Sequence, residues 1–441
     1  MNSHGSPKQL EGQELDKVYR YWRIRTLYAM YIGYAAFYIT RKSVTYAAPE
    51  LMSALSLTAQ QLGMLGTVSY IAYGVSKFIS GALSDRSNPR YFMSIGLLVT
   101  AITNLLFGLS STFWLFCSLW ALNGFFQGWG WPPCSRLLTH WYAKKERGFW
   151  WGIWNTSHNL GGAIAPMVAV GCAKYFNHSS IESWRMMMFM PAVAAALISL
   201  FLYDRLRDVP ESQGLPPIEE YKHEATAEEI KQQIAESASI SIWQNFVRHV
   251  LTNHYIWLLA FAYVTVYIVR TAFNDWGTLY FSQHGLSNTQ ARTCLALFEV
   301  GGFVGSLLAG WFSDRIFGGM RGQINFLFCV GVLAVTVIVT ALNITTYQFT
   351  AAAAISLAIG FFIFGPQMMI GVTAAELSHR ESAGVATGFV GLFGYLGAAL
   401  SGYPIGCIIA HYQWKGFLMA LVVCSVISAV LLLPMVKAKQ R

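Results

Sequence analysis

Charge is what this chain has least of. Of its 441 residues only 12% are Asp, Glu, Lys or Arg, against roughly 25% in an ordinary soluble domain, while 55% are hydrophobic. A bilayer suits such a composition better than water does. Cysteine patterning is missing too. Cys117, Cys134, Cys172, Cys294, Cys329, Cys407 and Cys424 stand singly, mostly inside apolar runs. An odd number without metal-ligand spacing argues against a disulfide framework or a metal site and leaves packing. No P-loop, hydrolase nucleophile elbow or metal motif appears, so neither an ATP-driven pump nor an enzyme is expected, and no cofactor. No apolar h-region opens the chain either. The first 25 residues are polar, with Lys8, Lys17, Arg20, Arg23 and Arg25, and read as a cytoplasmic tail rather than a cleavable signal.

What the chain does contain is long apolar stretches. A spanning helix uses roughly 20 mostly apolar residues, so there is room for about a dozen. Reading the stretches against charged and Gly/Pro breaks predicts helices over 25–47, 61–84, 91–110, 114–139, 148–173 and 185–203. A second set is predicted over 254–282, 290–313, 323–343, 348–373, 382–410 and 414–435. The expected organisation is a tail (1–24), a six-helix half (25–203), a polar linker (204–253), a second half (254–435) and a short tail (436–441). The linker holds Pro210, Pro216, Pro217 and an amphipathic stretch near 226–236. The net charge of +9 is not spread as a nucleic-acid surface would spread it. Arg86 and Arg90, Lys144, Lys145 and Arg147, Arg315 and Arg321, and Lys437, Lys439 and Arg441 all fall on one side of the predicted spans. Glu50, Lys174 and Lys415 are sparse on the other, so both termini and the linker are expected in the cytoplasm.

The strongest organising signal is an internal repeat. Gly81-Ala-Leu-Ser84-Asp85-Arg86 returns 229 residues later as Gly310-Trp-Phe-Ser313-Asp314-Arg315. The same shift carries Tyr34, Tyr38 and Arg41 onto Tyr263, Tyr267 and Arg270. The chain therefore reads as a duplicated six-helix unit, all-α and polytopic. Parallel repeats of this kind place a substrate site near mid-membrane between the halves. The Gly-x-x-Ser-Asp-Arg loops, Asp85-Arg86 and Asp314-Arg315 among them, resemble the signature loop of the major facilitator superfamily.

Tyr34, Tyr38 and Arg41 are spaced i, i+4, i+7 and share one helical face, as do Tyr263, Tyr267 and Arg270. Each arginine lies about 15 residues into its span, roughly 20 Å deep at 1.5 Å per residue. Arginine there is costly and normally faces a bundle interior or a watery cavity. Two such guanidinium forks facing one pore match the oxygens of a small dianion such as phosphate. The alternative is that each arginine is the structural partner of a buried acid, with Asp275, Glu299 and Lys42 available. A mixed arrangement pairs Lys42 with Asp275 across the halves and frees Arg41 and Arg270. His158, mid-span in Asn155-Thr-Ser-His158-Asn159, is a further candidate, as donor to phosphate or as a packing residue. Lys77, eight residues before Asp85, is expected to snorkel to the interface. The Gln127–Pro133 run should kink or break the fourth helix and turn an aromatic inward. Gly365-Pro366 looks like its counterpart on the tenth.

Tyr34-Ala-Ala-Phe-Tyr38-Ile-Thr-Arg41-Lys42, Gln127-Gly-Trp-Gly-Trp131-Pro-Pro-Cys134, Asn155-x-x-His158-Asn159-x-Gly-Gly162, Arg270-x-x-x-x-Asp275-Trp276 and Gly391-Leu-Phe-Gly-Tyr395-Leu-Gly resemble the organophosphate:phosphate antiporter family. The likeness runs from about residue 20 to 436. It is nearest to the bacterial hexose-phosphate branch, which holds both transporters and a sensor of external glucose 6-phosphate. The resemblance implies a major facilitator fold of twelve spanning helices in an inner membrane, as a monomer. It implies that Arg41 and Arg270 bind phosphate beside His158, and that Tyr34, Tyr38, Trp131, Asn155, Tyr267 and Tyr395 line the path, to which the repeat adds Tyr263. It implies exchange of a hexose phosphate for inorganic phosphate or, alternatively, signalling of glucose 6-phosphate to a partner kinase. Two positions depart from the pattern. Thr387 and Val390 stand where some hexose-phosphate exchangers carry a charged pair, and Phe364 stands where the glycerol-phosphate exchanger has tyrosine.

Overall fold

Backbone polar groups cannot be left open in hydrocarbon, so a chain of apolar stretches resolves into helices. The computed structural model describes residues 12–84, 87–176, 181–222, 247–318, 320–342, 346–378 and 383–436, and no strand occurs among them. The first half comprises α1 (Gly12–Leu55), α2 (Ala59–Ser84), α3 (Pro89–Leu109), α4 (Phe113–Gln127), α5 (Trp131–Trp141), α6 (Lys144–Phe176) and α7 (Ser183–Arg205). The second comprises α8 (His254–Gln283), α9 (Asn288–Arg315), α10 (Arg321–Ala341), α11 (Phe349–Leu377), α12 (Ala383–Leu400) and α13 (Tyr403–Leu432). Local chemistry sets several starts. Asn88 caps α3 ahead of Pro89, Asn253 caps α8, and Ser287 with Gln290 forms a capping box on α9.

Four features refine the expected spans. Helix α1 starts at Gly12, well inside the stretch expected to be a tail, because the start of the linker packs on it. Tyr19 donates to the Pro216 carbonyl at 2.7 Å and stacks on Tyr221, whose hydroxyl lies 2.6 Å from Asp16. Arg136 grips Asp208 with two bonds of 3.0 and 3.1 Å. Residues 206–221 are thus fastened to the first half, while the stretch near 226–236 lies outside the described residues. The fourth span breaks between Gln127 and Trp131, where two glycines meet two prolines. Its expected counterpart does not break: α11 runs unbroken through Pro366. The eleventh span continues past a break at Ser401–Gly402, and the chain turns at Gln413 (φ 55°), so residues 414–432 form the twelfth.

The duplication is visible in the packing. In the first half α1 lies on α6 and α7, α2 on α4, and α3 on α7. In the second, α8 lies on α12 and α13, α9 on α11, and α10 on α13. The halves meet along α6–α9, α2–α12/α13 and α1–α8. The α2 seam is glycine-built: a Cβ at Gly63 would lie 2.6 Å from the Gly402 carbonyl oxygen, so the backbones touch directly. Thr67 stitches the same seam, donating to the Ala399 carbonyl and accepting from the Tyr403 amide, both at 2.8 Å. Outward-facing Trp114, Leu197, Leu200, Ile338 and Val430 are exposed, as a lipid-facing surface requires. Seven described stretches are long and apolar enough to cross a membrane by length and composition alone. Helices α1, α2 and α6 are not among them, although α8 and α9, which also carry interior charged residues, are.

Candidate anion site between the two halves

Helices α1 and α8 cross at the centre and bring the repeated faces together. Tyr34 and Tyr38 lie ring to ring at 5.7 Å, and their mates Tyr263 and Tyr267 at 4.7 Å. The Arg41 guanidinium sits between the faces of Tyr38 and Tyr73, 4.6 and 4.5 Å from their centroids. Its Nε donates to Gln127 Oε1 at 3.2 Å, while Nη2 is buried with no hydrogen-bond partner. The Arg270 guanidinium lies 4.6 Å over Phe364 and 5.8 Å from Tyr267, and its buried Nε is unpartnered. Among the described residues neither arginine has a carboxylate partner.

His158 comes from α6. Its Nδ1 is bonded to the Asn155 carbonyl oxygen, which only accepts, so Nδ1 carries a proton and Nε2 points away, buried and unpartnered. The imidazole stacks on Phe364 at 6.3 Å and lies 5.7 Å from Tyr38. Phe364 therefore sits between the arginine of one half and the histidine of the other.

Of the nearby acids Asp275 is engaged elsewhere, and Glu299 is bonded through one oxygen while the other is buried without a partner. Asp275 accepts from Lys42 Nζ and from the Tyr70 hydroxyl, each at 2.7 Å, and from Thr45 at 3.4 Å. Lys42 belongs to α1 and Asp275 to α8, so this ion pair joins the halves. Glu299, 1% exposed, accepts from Asn274 at 2.9 Å and packs on Gly162. Four basic side chains, Arg41, Arg270, Lys42 and Lys77, thus face two acids, Asp275 and Glu299, an excess that suits an anion.

Other expected residues fall around this core. Tyr34 packs on Trp154 at 4.9 Å, and Trp131 lies 5.8 and 6.3 Å from Trp151 and Trp154. Tyr395 meets Tyr73 at 4.6 Å and Tyr267 at 5.9 Å. Asn155 contributes the carbonyl that orients His158. Lys77 does not snorkel. Its Nζ lies 5.3 Å from the Trp131 ring and 3.4 Å from the Tyr395 hydroxyl, held inside by two aromatic faces. Asp85 and Arg86 lie outside the described residues. Arg315 is exposed at the end of α9, and Asp314 precedes it in the same turn.

Tyr70 and Tyr73 were not singled out in the sequence, since nothing in their spacing separates them from packing residues, and Gln127 was named there only as the start of a motif, with no role at the site. A second missed group lies at the end of the bundle opposite the N-terminus. Arg292, 0% exposed, is ion-paired with Glu50 across the halves and donates to the Tyr46 carbonyl at 2.9 Å. Asn288 donates to the other Glu50 oxygen at 3.0 Å. A lone arginine early in an apolar span was the available signal.

Comparison with known proteins fits this geometry. Residues 30–402 match the Major Facilitator Superfamily. The chain is 47% identical to the Membrane sensor protein UhpC of Escherichia coli, over 98% of this chain and 97% of that one. It is 46% identical to a probable hexose phosphate transport protein of Chlamydia trachomatis (98% and 95% covered) and 37% identical to the glycerol-3-phosphate transporter of Bacillus subtilis (96% and 95%). A solved bacterial homologue of the human lysosomal transporter Spinster, inward-facing and occupied, superposes with a TM-score of 0.72 at 15% identity, covering 94% of this chain and 97% of that one. This is a multi-pass membrane protein of a transporter class, not an enzyme. The chain belongs to the major facilitator superfamily, in agreement with its motif-level likeness to the organophosphate:phosphate antiporters.

Proposed function

We propose that this protein exchanges a hexose phosphate, glucose 6-phosphate in the first instance, for inorganic phosphate by alternating access. The observation that carries the reading is a pair of symmetry-related buried arginines, neither of them in an ion pair among the described residues, each with an unpartnered nitrogen. Arg41 and Arg270 grip the phosphate from opposite halves. His158 Nε2, with Nδ1 already protonated, accepts from a phosphate P–OH when neutral and donates when charged. Tyr34, Tyr38, Tyr263, Tyr267, Tyr395, Trp131 and Asn155 line the path.

Described bonds between the halves cluster at mid-span and toward the Arg292–Glu50 end. With the termini cytoplasmic and the protein in a bacterial inner membrane, this is an inward-open arrangement. Closing the cytoplasmic side over an empty site would bury two unpaired guanidinium charges at a cost of several kcal/mol. A bound dianion cancels much of that cost and draws the halves together. Empty carriers then rarely reorient, which makes transport an exchange. The Lys42–Asp275 pair joins the halves without neutralising the site. The protein works as a monomer, since each chain carries both arginines.

A second reading follows from the identity to a sensor protein: the same site binds glucose 6-phosphate and reports it to a partner kinase, with little transport. Purified protein in liposomes, preloaded with or without phosphate and offered labelled glucose 6-phosphate, separates the two. Uptake that needs internal phosphate and disappears in Arg270→Ala supports exchange. Binding of the sugar phosphate without uptake supports the sensor.

A further inference from the structure

The two arginines are mates in sequence but not in surroundings. Behind Arg41 runs a buried ladder of polar side chains. Gln127, 1% exposed, accepts from Arg41 Nε through its oxygen and donates through its nitrogen to Thr40 at 3.0 Å and Asn123 at 3.3 Å. Asn123 donates to Thr103 at 3.0 Å. Asn104 donates to the Thr40 carbonyl at 3.1 Å and accepts from Ser43 at 2.5 Å. Each amide is held from two sides, so the Gln127 oxygen cannot swing away from Arg41. Behind Arg270 no such ladder occurs among the described residues: its Nε is bare, and the 229-residue shift replaces Thr40 by Val269 and Ser43 by Ala272.

We infer that Gln127 is a positioning residue, which fixes Arg41 through Nε so that its Nη edge is presented to the phosphate before the phosphate arrives. The inference rests on the exchange reading above and deepens it. A planar guanidinium tied at Nε loses little further freedom on binding, and preorganisation of this kind appears as affinity. Arg41 is then the set jaw of the clamp, and Arg270 the jaw that adjusts as the halves close.

The test is phosphate–phosphate exchange in liposomes holding wild type, Gln127→Met, Arg41→Lys and the double variant. Losing a hydrogen bond to a charged donor predicts a rise in KM for phosphate of about tenfold in Gln127→Met, with the maximal rate within about twofold. Lysine has no Nε to hold, so in the Arg41→Lys background the same change should shift KM by less than about twofold. Gln127→Glu, which keeps the acceptor but neutralises the arginine, should raise KM further than Gln127→Met does. This variant also serves if methionine prevents folding. An unchanged KM in Gln127→Met, or an equal loss in the wild-type and Arg41→Lys backgrounds, overturns the positioning role while leaving exchange standing. Wild-type liposomes that show no exchange overturn both.

Discussion

Two groups of buried arginine stand in this membrane protein under opposite conditions. At the end of the bundle away from the N-terminus, Arg292 is fully buried and matched by Glu50, with a backbone carbonyl taking a further bond. At mid-span, Arg41 and Arg270 have aromatic faces and, for Arg41, one amide, but no ion pair among the described residues. The first group has its counter-charge within the protein, although Arg292 Nη1 is left without a hydrogen-bond partner, and it clasps the halves. The second has no ion-pair partner among the described residues, and we propose that an anion completes it. Residue type and burial are alike in the two places, and the ion pair distinguishes them.

The largest effect expected from breaking this contrast is at the unpaired pair. Each arginine offers phosphate two charge-assisted bonds worth about 1.5–3 kcal/mol apiece, so Arg41→Ala or Arg270→Ala should lower exchange in liposomes by about a thousandfold. Arg292→Met leaves the half-buried Glu50 without its cation, and should destabilise the purified protein by about 2 kcal/mol in thermal unfolding. Replacing both partners, Arg292→Met with Glu50→Leu, should restore most of that stability. If the double variant is as unstable as the single, the clasp has been misread. Arg41→Lys keeps the charge but loses the fork, and a loss of exchange of about thirtyfold is expected, measured as the initial rate at low phosphate. The smallest effect belongs to the glycine seam. Gly63→Ala pushes a methyl against the Gly402 backbone and should cost about 1 kcal/mol in the same unfolding assay, with phosphate affinity unchanged.

Much of this was legible in the sequence, for a physical reason. Duplication writes each symmetric feature twice at one spacing, so Tyr34, Tyr38 and Arg41 were exposed by Tyr263, Tyr267 and Arg270. Depth in an apolar run then singled out the arginines, because charge there is costly. Features that depend on neighbours from other helices were not legible. Gln127 is one amide among many until Thr40, Asn123 and Arg41 surround it. Lys77 is near enough to the helix end to snorkel, and only the two aromatic rings that enclose it show that it does not. Asp275 could have served Arg270 or Lys42, and the position of Tyr70 beside it goes with the lysine. The early start of α1 rests on the linker residues docked against Tyr19, some two hundred positions away.

The central claim is that the arginines without an ion pair, and not the paired one, are where the anion binds. Calorimetric titration of inorganic phosphate into purified wild type, Arg41→Ala, Arg270→Ala and the Arg292→Met/Glu50→Leu variant tests it directly. Saturable phosphate binding in wild type and in the clasp variant, absent from both site variants, is the predicted result. Undiminished binding to either Arg41→Ala or Arg270→Ala would contradict the account.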